Sequence, residues 1–223
     1  MTRRRLGLLG AVACISFASL GSAHAASIPL SDLINGQTIE SGDKVFSDFT
    51  YTPTGDMPPS AASIVVQDIQ DAAGDYGVRF VGGFLDQPGG GSSDALITFN
   101  VSVAPGSSME INGAKLAANP AVFAGTGLAS VTETFVPEVV DDKLVVYDFG
   151  GGDDLLLATT TFNQTFKTLP VQKDIIMHAT SESGAVTMSF IDQTFSQVPE
   201  PSSLILLLLG LFGIRRLSLN DKN

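Results

Sequence analysis

Hydrophobic and polar residues alternate with a period of two through most of the chain between its two ends. The clearest run covers residues 95–104, in which Ala95, Ile97, Phe99 and two valines alternate with other side chains. Successive side chains of a β-strand point to opposite faces, so this alternation predicts a strand with one buried face. Further runs rich in Val, Ile, Thr and Phe are predicted as strands: 44–51, 63–69, 77–84, 128–135, 143–149, 155–162, 171–179 and 185–195.

Clusters of Gly, Pro, Asp and Ser separate these runs, at residues 52–60, 87–93, 105–108 and 150–152. Such residues favour turns, and no stretch between the two ends has a convincing helical period. Many short strands separated by turns predict an all-β domain over residues 26–195. The predicted architecture is an antiparallel β-sandwich of jelly-roll-like type.

The pattern changes near the C-terminal end, where residues 204–214 contain only Leu, Ile, Phe and Gly. As a helix this segment would be about 16 Å long, whereas a full membrane span needs about 20 residues. We predict a short transmembrane helix here, preceded by a polar linker at 196–203 that contains two prolines. Arg215 and Arg216 would stop the segment at the membrane, and residues 215–223 would form a basic cytoplasmic tail. One alternative is a plain membrane anchor that is not cleaved. Another is a buried core helix, but it would need a polar face.

The N-terminal end predicts export. Three arginines at residues 3–5 precede an apolar run, and Ala23 and Ala25 form a small-x-small cleavage pattern. Residues 1–25 are therefore predicted as a signal peptide that is removed before Ala26. Cys14 as a lipidated cysteine is a poorer interpretation, because the apolar run continues past it. It is the only cysteine, so the mature protein is predicted to have no disulfide or thiolate chemistry.

Separating the ends from the body makes the charge more extreme. Residues 26–197 contain six Lys and Arg against 21 Asp and Glu, a net charge of −15. This argues against binding to nucleic acid or anionic lipid, which require basic patches. The length is that of one domain with a sizeable core.

The histidine left after export, His178, gives little support for catalysis. In the run 171–179, Lys173 shares the apolar face with Ile175 and Met177, whereas His178 lies on the more polar face. The sequence has no Gly-x-Ser-x-Gly elbow that would provide a serine nucleophile. A solvated or hydrogen-bonded histidine is favoured, and the protein is predicted not to be an enzyme and to need no cofactor.

Two acidic loops are candidates for calcium. Asp148, Asp153 and Asp154 flank three glycines, and flexible loops with carboxylates suit Ca²⁺. The spacing matches neither an EF-hand nor a nonapeptide calcium repeat, so solvated turns are favoured and one structural Ca²⁺ stays the alternative. The second acidic loop contains Asp68, Asp71 and Asp75.

A sugar-binding face would use aromatic platforms, for which the sequence offers few candidates. It has no Trp and three Tyr, and its 14 Phe fall mainly on alternating strand positions that predict core packing. Phe80 and Phe84, beside two glycines, are the candidates for a concave aromatic face, with core packing favoured.

The C-terminal order of Val198, Pro199, Glu200 and Pro201, an apolar run and an arginine pair resembles the PEP-CTERM sorting signal. This signal occurs in exported proteins of Gram-negative bacteria and is also named after the C-terminal domain of ice-binding proteins. The resemblance implies recognition by an exosortase-type membrane protease near these four residues, in cells that produce exopolysaccharide. Segments of the body are similar to a domain that recurs in such proteins, without a transferable activity: 41–51, 77–80, 125–127 with 131–134, and 173–175 with 189–195.

The function predicted from the sequence is that of a non-catalytic exported protein of the cell surface or extracellular matrix. It would be tethered transiently to the inner membrane and then processed by the exosortase-type protease. The alternative is a carbohydrate-binding β-sandwich module whose partner is extracellular polysaccharide. This binding could be either calcium-dependent or independent of calcium.

Overall fold

The computed structural model describes residues 26–136, 143–180 and 184–200. Its one short α-helix and a single 3-10 turn at Ala61–Ser63 are the helical elements within these ranges. The remaining elements are strands. In chain order, the elements are β1 Ser27–Pro29, α1 Leu30–Ile34, β2 Ile39–Ser41, β3 Lys44–Thr54, β4 Val65–Gln70, β5 Tyr76–Asp86, β6 Ser93–Val103, β7 Met109–Ala118, β8 Ala121–Val122, β9 Leu128–Phe135, β10 Leu144–Asp148, β11 Asp154–Leu155, β12 Leu157–Phe166, β13 Thr168–His178 and β14 Val186–Pro199.

The strands form two antiparallel sheets. Sheet A has the order β1-β4-β5-β14-β7-β12, with β8 beside β14, and sheet B has the order β11-β10-β9-β13-β6-β3-β2. Consecutive strands often belong to different sheets, so the chain crosses repeatedly between them. The predicted all-β antiparallel sandwich is confirmed.

The core between the sheets is built from the alternating positions that the sequence predicts. Along β13, Val171, Ile175 and Met177 are buried together with Lys173, as the period of two requires. Aromatic rings fill the centre. Phe99 is stacked with one phenylalanine at 5.4 Å between ring centroids and is tilted against two others at 5.8 and 6.0 Å. Phe80 and Phe84 are both fully buried, so they belong to the core and cannot form a sugar platform.

Every predicted run coincides with a strand or overlaps one. The short strands β1, β2 and β8 were not predicted, and neither was the long strand β7. Its sequence contains Gly113 and several alanines, which have a weak strand preference. Gly113 is required by close packing, because a Cβ atom there would lie 2.6 Å from the carbonyl oxygen of Thr160 on the neighbouring strand. The five-residue helix α1 is too short to show a helical period.

The last strand is longer than predicted. The predicted domain ends at residue 195 and is followed by a linker at 196–203, but β14 continues to Pro199. Backbone pairing of Gln197, Val198 and Pro199 with β7 explains the extension. The predicted turn at 52–60 is also shorter, because β3 runs to Thr54.

Among the described residues, no helix has the length and apolar character needed to cross a membrane. The predicted signal peptide, including Ala23 and Ala25, lies outside the described ranges, as do Pro201, the apolar segment 204–214, Arg215 and Arg216.

Candidate functional site

The first part of the predicted sorting motif forms the end of β14. Val198 and Pro199 lie opposite Glu110 and Met109 of β7. The amide of Glu200 then donates a hydrogen bond of 2.7 Å to the carbonyl oxygen of Ser108. The motif therefore begins on the folded domain itself, as a continuation of a central strand of sheet A.

Lys167 holds the side chain of Glu200. Its Nζ forms an ion pair with the Glu200 carboxylate and donates to the carbonyl oxygens of Ser107 and Met109 at 3.0 and 2.9 Å. Lys167 lies in the turn between β12 and β13, next to the end of β14. Sequence reasoning missed this contact, because nothing in the local pattern places that turn beside residue 200.

A second polar cluster is buried between the sheets. Lys173 and Glu133 face each other across β13 and β9, and Gln193 reaches them from β14 of the opposite sheet. All three side chains are fully buried. Lys173 Nζ donates hydrogen bonds to Glu133 Oε2 and to Gln193 Oε1, and it lies 6.0 Å from the centroid of the Phe99 ring.

Burial disfavours both charges in this cluster. Loss of solvation raises the pKa of Glu133 and lowers the pKa of Lys173, although their mutual attraction opposes both shifts. The sequence placed Lys173 on the apolar face of its strand, which was the available signal for this cluster. Glu133 and Gln193 could not be joined to it without the topology.

Lys44 is a further fully buried lysine in the part of the chain that the structure describes. It donates to Asp43 Oδ1 at 2.7 Å and to Gln197 Oε1. The Asp43 side chain is 25% exposed, so this lysine lies closer to solvent than the Lys173 cluster.

An open cleft of about 770 Å³ on sheet A carries paired charges. Arg79 donates to both carboxylate oxygens of Asp192 at 2.6 and 2.7 Å, which raises the pKa of Arg79. The guanidinium carbon of Arg79 also lies 4.5 Å from the centroid of the Phe190 ring. Lys115 forms an ion pair with Asp71 and lies 3.8 Å from Asp75.

One carboxylate of the glycine-rich acidic loop bonds to the backbone of the domain. Asp148 accepts hydrogen bonds from the amides of Gly150 and Val122 at 2.6 and 3.0 Å, while Asp153 and Asp154 are exposed. Within the described ranges, no group of three His, Cys, Asp or Glu side chains is arranged to hold a metal ion. The calcium site at these three aspartates therefore stays a prediction.

Asp71, in the other acidic loop, is held by its own turn. Its Oδ1 accepts from the amides of Ala73 and Asp75 at 2.9 and 3.0 Å. Burial opposes its ionisation, but these bonds and Lys115 keep the pKa of Asp71 below its ordinary value.

His178 lies at the end of β13 with partial exposure, and its Nδ1 is 3.2 Å from the hydroxyl of Ser92. This is the hydrogen-bonded strand histidine that the sequence favours.

The fold and the C-terminal strand define an all-β sandwich whose last strand leads into a short segment of distinct composition. A model of the family described as the PEP-CTERM protein-sorting motif matches residues 197–217. The chain carries this sorting motif, as its resemblance predicts, and the motif marks an exported protein that is sorted at a membrane by exosortase.

The solved structures that are similar to the chain include the following two. The enzymatically active domain of tailspike protein 4 of bacteriophage CBA120 is 12% identical, with a TM-score of 0.32, 67% of this chain covered and 20% of that chain. TmCBM61 in complex with beta-1,4-galactotriose is 9% identical, with a TM-score of 0.29, 66% of this chain covered and 88% of that chain. The chain spans a fifth of the tailspike chain, and similarity at these TM-scores carries no argument about function. No curated protein matches the chain.

Proposed function

We propose that the protein is a non-catalytic component of the cell surface or extracellular matrix of a Gram-negative bacterium. The sandwich is the cargo, and its PEP-CTERM signal delivers it to an exosortase-type protease while residues 204–214 tether it to the inner membrane. The observation that carries this proposal is the sorting motif at residues 197–217, which starts on β14 without a spacer.

The ion pair between Lys167 and Glu200 is weak enough for a protease to break. Lys167 and Glu200 are 45% and 30% exposed, respectively, and an exposed ion pair contributes about 0–1 kcal/mol. The ion pair therefore does not lock the Glu200 side chain in place. In this proposal Pro199, Glu200 and Pro201 are recognition residues, and Lys167 only holds one of them before processing.

A carbohydrate-binding role is the second interpretation. The candidate binding site would be the cleft lined by Arg79 and Asp192. Sugar sites usually combine polar groups with an aromatic platform, and none of the described residues that line this cleft is aromatic. The geometry therefore favours the cargo role.

The proposal is tested by separating recognition from docking in a cell that contains the protease. Replacing Pro199, Glu200 and Pro201 together by Ala should accumulate unprocessed protein in the membrane fraction. Lys167→Ala is the matched control, because it removes the ion pair of Glu200 and leaves the motif intact, and it should be processed like the wild type. Immunoblots of membrane and extracellular fractions measure the ratio of unprocessed to processed protein. Normal processing of the triple variant would show that the motif is not the signal.

A further inference from the structure

Three polar side chains from both sheets meet in the core, where all three are fully buried and an ion pair is costly. A buried pair of charges is often no more stabilising than apolar residues of the same volume. The cluster of Lys173, Glu133 and Gln193 therefore calls for a reason beyond stability. It unites an amine, a carboxyl group and a carboxamide, which are the components of an amide exchange.

We propose that Lys173 and Gln193 join in an intramolecular isopeptide bond, with Glu133 as the proton-transfer group. The Nζ of Lys173 attacks Cδ of Gln193. A new Nζ–Cδ amide bond forms, the Cδ–Nε2 bond breaks, and Nε2 leaves as ammonia. No oxidant, reductant or further reactant is needed.

The contacts place the reacting groups together. Lys173 Nζ is hydrogen-bonded to Gln193 Oε1, and Oε1 is directly bonded to the Cδ that is attacked. The Gln193 amide nitrogen, Nε2, donates to the Thr194 carbonyl oxygen at 3.4 Å. Fixing two reactants in contact replaces a bimolecular encounter by an intramolecular step.

Glu133 can move the protons that the exchange requires. Lys173 donates to its Oε2, so transfer along this bond gives a neutral amine and a carboxylic acid. The pKa directions of both groups favour that neutral pair. The other oxygen, Oε1, is buried and has no hydrogen-bond partner among the described residues. Glu133 can thus return a proton to the departing Nε2.

The surroundings exclude water, which would otherwise solvate the ammonium group and compete as a nucleophile. All three side chains have 0% exposure, and the Phe99 ring centroid lies 6.0 Å from Lys173 Nζ. The Lys44 cluster lacks this shielding, since Asp43 is partly exposed, so the proposal is confined to Lys173.

The bond would tie sheet B to sheet A at the strand that bears the sorting motif. Lys173 belongs to β13 and Gln193 to β14, which continues to Pro199. Tension applied through a tether at the C-terminal end would then pass into both sheets at Gln193, and the part of β14 before Gln193 would not peel from sheet A.

Trypsin digestion of the denatured full chain tests the bond. Trypsin cleaves after Lys167 and Lys173, and the next basic residue is Arg215. An unlinked chain releases the hexapeptide 168–173. A linked chain does not release it and instead yields 168–215 lighter by one ammonia. Digestion before aspartate should give fragment 154–173 joined to the fragment that begins at Asp192, and fragmentation spectra should locate the branch. The hexapeptide recovered in the same molar amount as the peptide 144–167 would overturn the proposal.

Glu133→Gln tests the role of the carboxyl group with almost unchanged side-chain volume. The variant should release the hexapeptide, and a sheet-type circular dichroism spectrum will show whether it has folded. Glu110→Gln, which changes a surface carboxylate on β7, should keep the bond and is the matched control. Full linkage in folded Glu133→Gln would refute the assignment to Glu133, and the wild-type digest decides the bond even if this variant fails to fold.

Discussion

Asp174 and Asp94 form a carboxyl pair on the outer face of sheet B. Burial, the hydrogen bond that protonated Asp174 donates to Asp94 and the charge of Asp94 raise the pKa of Asp174 to about 6. Because the folded state binds a proton more tightly than the unfolded state, this group lowers stability as the pH rises through about 6. The pair is partly exposed, so screening limits the effect to about 1 kcal/mol or less.

Asp174→Asn should therefore stabilise the protein at pH 7 by up to about 1 kcal/mol. The gain should disappear at about pH 4, where Asp174 is protonated in the folded wild type. Urea unfolding of variant and wild type at both values measures the difference. Asp153→Asn is the control for the removal of one negative charge from an acidic protein. A gain that is the same at both pH values would contradict the proton linkage.

At the scale of the elements, the pairing of β5 with β14 depends on one glycine. Gly77 lies opposite Thr194, and a Cβ atom at residue 77 would come within 1.8 Å of the carbonyl oxygen of Gln193. The obstruction is backbone, so no side-chain rotation relieves it. β14 also carries Gln193 and the start of the sorting motif, so this contact affects both proposed functions of the strand.

Gly77→Ala should lower the free energy of unfolding by about 3 kcal/mol or more, because the two central strands of sheet A must separate. Gly83→Ala in the same strand is the matched control. A Cβ atom there meets nothing within 4 Å, so the change should stay within about 0.5 kcal/mol. Denaturant titration of both variants gives the comparison. Equal stabilities would show that β5 and β14 do not approach as closely as described.

The strands that could be predicted are those whose side chains carry a strong period of two. The alternation in β6 and β13 identified both strands and their buried faces, because one side of each packs on the opposite sheet. The strand β7 escaped prediction since its small residues serve close packing, which leaves little hydrophobic contrast. The end of β14 was also missed. Its last residues are in a strand because they pair with β7, which was itself not predicted.

The functional sites also differ in whether the sequence could predict them. The sorting motif is a contiguous string, and the sequence alone located it. The partners of Lys173 come from β9 and β14, and their meeting depends on the order of strands in two sheets. Likewise, the contact between Lys167 and Glu200 depends on where the turn after β12 lies. Local patterns contain no information about such long-range placement.

At the scale of the molecule, the body is an acidic β-sandwich whose last strand leads into the sorting motif. Its net charge of −15 over residues 26–197 disfavours association with anionic surfaces. The sorting motif starts at the end of the last strand, so a proteolytic cut after Pro199 would leave the sandwich complete. Processing and folding are therefore compatible in this account.

Mass spectrometry of both termini of the protein purified from cells that contain the protease tests this account most directly. We predict an N-terminus at Ala26 and a C-terminus within or beside residues 198–201, without the apolar segment 204–214. A C-terminus at Asn223 in the exported protein would contradict it, and would mean that the segment is a permanent anchor.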